Sequence, residues 1–136
     1  MAIRKKIICI IVESCANGDG DYFYQWDPDT FTNMTQLKIL KMSGIYLTDL
    51  DRKSFQGLSS LQELHLDHSK LETLEGMIFQ PLKSLKFLDL SFNSNLKSLT
   101  ELTFSGLSGL ERLSLAYSSQ AFQNYPSRKQ ASPGQN

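Results

Sequence analysis

Cysteine is scarce in this chain: two residues, Cys9 and Cys15, both near the start and none after them. Structural zinc takes four ligands at recognised spacings, which two cysteines and the distant His65 and His68 do not supply. The same scarcity excludes a fold held together by many disulfides; a single local link between Cys9 and Cys15 stays open for an oxidising compartment. Charge of one sign is also lacking, with 14 basic and 14 acidic residues and a formal net charge of zero. No overall field draws the chain toward nucleic acid or an anionic membrane. Nor is there a basic stripe, since Lys38, Lys41, Lys86 and Arg112 are balanced by Glu63, Asp67, Asp89 and Glu111. No apolar run approaches the roughly 20 residues of a membrane span. Catalytic signatures are missing too. Gly18-Asp19-Gly20 is not followed by the Gly-Lys-Ser/Thr of a phosphate loop, and no Ser, Cys or His sits in an activating context. The expectation is a binding protein and not an enzyme, with no cofactor, no bound metal and no nucleic-acid partner.

What the chain does contain is a repeat. Leu37, Leu61, Leu85 and Leu110 open four similar segments spaced 24, 24 and 25 residues apart. Three residues on stand Leu40, Leu64, Leu88 and Leu113, and two further on Met42, Leu66, Leu90 and Leu115. Leu47, Leu71 and Leu96, then Leu50, Leu74 and Leu99, continue the series. Phe55, Phe79 and Phe104 return on the same schedule, with Phe31 one period earlier, and each is followed by Leu58, Leu82, Leu107 or Met34.

The Leu-x-x-Leu-x-Leu stretch alternates, so Leu64 and Leu66 point to one side while Glu63, His65 and Asp67 point to the other. Successive segments then set short strands side by side in a parallel sheet, and the Phe and later Leu of each return leg close the core from behind. One such unit cannot bury its apolar face alone; stacking does. The ninth position of each segment, at the turn leaving the strand, holds Ile45, Ser69, Asn93 and Ser118; an Asn amide there can satisfy backbone groups. A Ser hydroxyl does part of that work and Ile45 none. One extra residue falls in Asn93-Ser94-Asn95-Leu96, which predicts a small bulge with Leu96 still facing inward.

From Phe31 to about Tyr117 the sequence resembles the typical subclass of extracellular leucine-rich repeats, most of all a fragment of a Toll-like receptor ectodomain. The resemblance implies an α/β-type solenoid, a short leucine-rich-repeat stack with a parallel β-sheet on its concave face and irregular or short helical convex segments. The expected organisation starts with residues 1–16, either a secretory signal (Arg4-Lys5-Lys6, then the apolar 7–12, then Ser14-Cys15-Ala16) or a first strand. Residues 17–36 form an N-terminal cap and partial repeat, with Trp26 filling the core site of Leu50. Repeats follow at 37–60, 61–84 and 85–109, then a partial repeat at 110–117. The polar tail 118–136 reads as disordered, with Phe122 and Tyr125 available to fold back over the last strand. Family members carry cysteine-bearing caps, and the C-terminal one has no counterpart here.

In such stacks the concave face binds partners. The expected surface for a protein or other macromolecular ligand comprises Lys41, Glu63, His65, Asp67, Phe87, Asp89 and Arg112, with Ile39, Ser43, Ser91, Ser114 and Ala116 around them. Just past the strands His68, Phe92 and Tyr117 form either an exposed aromatic column or rings packed against their own turns. His65, Asp67, His68 and Asp89 invite comparison with a metal site, but polar side chains on a polar surface are read first as solvated. Asn33-Met34-Thr35 is an N-glycosylation acceptor. These features favour a secreted protein or the ectodomain of a membrane protein. The competing classes are a matrix adhesion protein and a cytosolic scaffold. Uncapped ends would also allow self-association.

Overall fold

The computed structural model describes residues 9–11, 31–44, 50–97 and 99–118, the first three through their backbone alone. The expectations for Trp26, Ile45, Leu47, Phe122, Tyr125, the Cys9–Cys15 link and the tail beyond Ser118 lie outside the described residues.

Among the described residues five three-residue strands follow one another: β1 (Cys9–Ile11), β2 (Ile39–Lys41), β3 (Glu63–His65), β4 (Phe87–Asp89) and β5 (Arg112–Ser114). They form one parallel sheet in chain order. Leu40, Leu64, Leu88 and Leu113 stand in register across β2 to β5. Each is buried, while its strand neighbours stay partly or fully exposed. The alternation read from the sequence is therefore the facing of the sheet. β1 pairs with β2 through Ile10 and Leu40. The backbone ladder runs past each strand: Met42 N–H donates to the His65 carbonyl, Leu66 to Asp89 and Leu90 to Ser114.

Behind the sheet the leucines interlock with a phenylalanine spine. The Phe55 and Phe79 rings lie 5.8 Å apart and the Phe79 and Phe104 rings 6.2 Å apart. Phe31, Phe55 and Phe79 are buried; Phe104, in the last of these coils, is partly open. Burying such a side chain contributes on the order of 1.5–3 kcal/mol. Among the described residues the convex legs are mostly turns, with a 3-10 helix at Glu101–Phe104. Gly57 is required where it stands: at φ 95°, its missing Cβ would meet the Phe31 carbonyl oxygen at 2.3 Å. Close nesting of the second coil on the first depends on that gap.

One core position was not read from the sequence. Ser54, Ile78 and Thr103, each just before a spine Phe, are all buried. The two hydroxyls are satisfied within their own turns, taking the Asp51 N–H at 2.8 Å and the Thr100 N–H at 3.2 Å. A site that accepts both Ile and hydroxyl residues leaves no single-letter signal. The bulge does occur as expected: Ser94 and Asn95 are exposed and Leu96 is fully buried. The turn absorbs the extra residue, so Leu88 still meets Leu113.

Candidate functional site

The sheet turns alternate residues of each strand outward, and register brings residues about one repeat apart into contact. At the centre is His65. Its Nε2 lies 3.2 Å from the Glu63 carboxylate on the same strand, and its Nδ1 lies 3.9 Å from Asp89 Oδ2 on the next. The ring meets Phe87 edge to face at 5.2 Å. From the other side the Arg112 guanidinium lies over Phe87, 4.4 Å from the ring centre. Phe87 is therefore half-buried between a cation and an imidazole. Ile39 and Lys41 continue this face on β2.

Asp67 and Asp89 are tied down. Ser43 Oγ donates to Asp67 Oδ1 at 2.7 Å and the His68 ring to Oδ2 at 2.9 Å. Burial alone would raise the Asp67 pKa, but the hydrogen bonds from Ser43 and His68, with a further backbone bond and the His68 charge, outweigh it and hold the carboxyl below its ordinary value. Asp89 Oδ1 accepts both the backbone N–H and the hydroxyl of Ser91.

Along the rim His68, Phe92 and Tyr117 form a stacked column. His68 and Phe92 lie 4.4 Å apart and nearly parallel; Phe92 and Tyr117 are 4.7 Å apart. The rings stay open to solvent, with Phe92 45% and Tyr117 75% exposed. All three residues have left-handed backbone, φ 56°, 58° and 57°, and Gly44 holds the corresponding place one coil earlier at φ 76°. That conformation disfavours side chains other than Gly, Asn and Asp. It is held because these turns bond across coils: Gly44 N–H donates to the Asp67 carbonyl, His68 to Ser91 and Phe92 to Ala116.

Beneath the rim runs a buried polar ladder. Asn93 Nδ2 donates to the carbonyls of Leu66, Leu90 and Ser91, and Oδ1 accepts from Ser69 and Leu71 N–H. Ser69 Oγ donates to the Met42 carbonyl and Ser118 Oγ to the Leu90 carbonyl. The serines thus carry the ladder through the coils on either side of Asn93. Elsewhere, Asn33 is exposed on a turn. Among the described residues no helix is long and apolar enough to cross a membrane.

The sequence grouped His65 with Asp89 one strand away, whereas the Phe87–Arg112 contact was not read as a pair, because it joins residues 25 apart. Strand register was the signal that could have found it.

The leucine rich repeat family matches residues 20–71 and 35–94, together more than half of the chain. Among solved structures, the chain is similar to one in the TLR13–ssRNA13 complex, with 35% identity and a TM-score of 0.65 over 68% of this chain and 13% of that one. It is also similar to one in the Toll–Spatzle complex of Drosophila, with 26% identity and a TM-score of 0.59 over 62% of this chain and 11% of that one. The chain thus spans a small part of either. A search of curated proteins finds no match.

Proposed function

The chain belongs to the leucine-rich repeat family and resembles a stretch of Toll-like receptor ectodomain, and from this premise we propose that it is a ligand-recognition segment of a cell-surface receptor of that type. It binds and does not catalyse. The ligand, a protein, seats on the concave face around Phe87, with Lys41, Glu63, His65, Asp67, Asp89 and Arg112 about it and the His68–Phe92–Tyr117 column at the rim. The observation that carries this reading is the column itself. Three aromatic rings are held open to water on backbone that disfavours them, and exposed aromatic groups are favoured anchors of protein recognition. An extracellular setting agrees with the repeat type and with the exposed Asn33 acceptor.

One similar structure is a complex with single-stranded RNA, so the exclusion of nucleic acid drawn from balanced charge is itself to be tested. Immobilised full chain should be screened against secreted proteins and against single-stranded RNA. A protein ligand lost on Phe87→Ala or Phe92→Asn, and kept on Lys97→Ala, an exposed residue outside the strands, supports the proposal. Binding of RNA alone would replace it, and ligands indifferent to the face substitutions would refute it. Expression in secretory cells should give a product that shifts on glycosidase treatment and no longer shifts after Asn33→Gln. A cytosolic, unmodified product would favour the scaffold reading.

A further inference from the structure

Midway along the concave face, His65, Asp67 and Asp89 each present one ligand atom, all within 4.8 Å of one another. His65 and Asp67 are alternate residues of one coil, and Asp89 stands in register with His65 on β4. Their side chains are only 16%, 17% and 18% exposed, so these are not groups hanging in water.

Their orientation is set from outside. Glu63 Oε2 lies 3.2 Å from His65 Nε2. A carboxylate only accepts, so the nitrogen facing it carries the proton. In the neutral ring Nδ1 then holds the lone pair, and it faces Asp89 Oδ2 at 3.9 Å, beyond hydrogen-bond reach. Two electron-pair donors thus lie 3.9 Å apart, and Asp67 brings a further carboxylate oxygen within 4.8 Å of both residues. The carboxylates are braced as well. Ser43 and His68 hold Asp67, while Ser91 occupies Oδ1 of Asp89 and leaves Oδ2 for the gap. A metal-bound histidine has this surround, its distal nitrogen donating to a carboxylate and its partner ligands hydrogen-bonded in turn.

We propose that His65, Asp67 and Asp89 bind a divalent first-row transition metal, zinc by donor type, with a remaining coordination position open to the concave face. One imidazole and two carboxylates bind zinc at about 2.0–2.2 Å. Tetrahedral ligand atoms then sit about 3.3 Å apart, a contraction that carboxylate rotation supplies. The bound ion would cross-link neighbouring coils at mid-stack. Lys41, in register with His65 on β2, places a positive charge on the same face and opposes the ion. The site stands whether or not a protein ligand seats above it.

The test is calorimetric titration of the full, chelator-stripped chain with zinc chloride at neutral pH, together with cobalt(II) absorption. One ion per chain is expected, with visible cobalt bands and a raised Tm. His65→Gln and Asp89→Asn should each weaken binding by about tenfold or more, and Glu63→Gln by about tenfold through loss of ring orientation. Lys41→Met should tighten it. Binding must persist in a Cys9→Ser/Cys15→Ser chain. Should a ligand variant fail to fold, the nitrogen-15 shift of His65 Nδ1 on adding zinc to the unaltered chain decides the matter. Absence of saturable binding, binding that survives His65→Gln in a folded chain, binding that needs the cysteines, or an unmoved His65 signal would each overturn the proposal.

Discussion

Asn93 shows how much one side chain carries. It is fully buried, and its amide meets three carbonyls and two backbone N–H groups of two coils. Truncation strands those groups away from water, and each unsatisfied buried group costs about 1–3 kcal/mol. Asn93→Ala is expected to cost about 3 kcal/mol in urea unfolding, whereas Lys97→Ala, which removes a solvent-exposed ion pair with Glu72, should change little. Asp67 offers a pH test. Its folded pKa lies below the ordinary 3.8, so its stabilising contribution is complete above the unfolded value and fades as pH falls through the folded one. The stability difference between the natural chain and Asp67→Asn should be constant near neutrality and shrink below about pH 4. A difference that grows on acidification would contradict the assigned hydrogen bonds.

At the scale of the element, the three-residue strand separates two roles at adjacent positions. Leu88 is fully buried, and Leu88→Asp places an unpaired charge between coils, which should abolish the cooperative transition in circular dichroism. Asp89→Leu gives up the hydrogen bonds to Ser91 but puts no charge between coils and should leave the fold intact at reduced stability; equal damage from both would refute the facing. The convex turns make a matching distinction between glycines. Gly57→Ala combines a left-handed φ with a backbone clash and should cost more than about 2 kcal/mol. Gly109→Ala, whose Cβ would meet only the Leu85 carbonyl at 3.7 Å, is the control and should be nearly neutral. These elements were legible in the sequence because leucine spacing and the strand period coincide. The Ser54, Ile78 and Thr103 position was not, since a hydroxyl satisfied in its own turn packs there as well as a methyl group.

For the whole molecule, a stack in which each coil touches its immediate neighbours should be firmest where both neighbours are present. Hydrogen exchange should be slowest at the Leu66 and Leu90 amides, which donate to Asp89 and Ser114 across the coils, and faster at Leu115 in the last described coil. Faster exchange at Leu66 than at Leu115 would overturn the nearest-neighbour picture. The repeat of leucines and phenylalanines by itself determined the solenoid, the inward and outward faces and the bulge before Leu96, because burial repeats with a period readable along the chain. Only the tertiary structure decided that His65 faces Asp89, that Arg112 covers Phe87 and that the rim aromatics stack in the open. Those contacts depend on lateral register between strands and on left-handed turns, and neither quantity is written in the identity of any single residue.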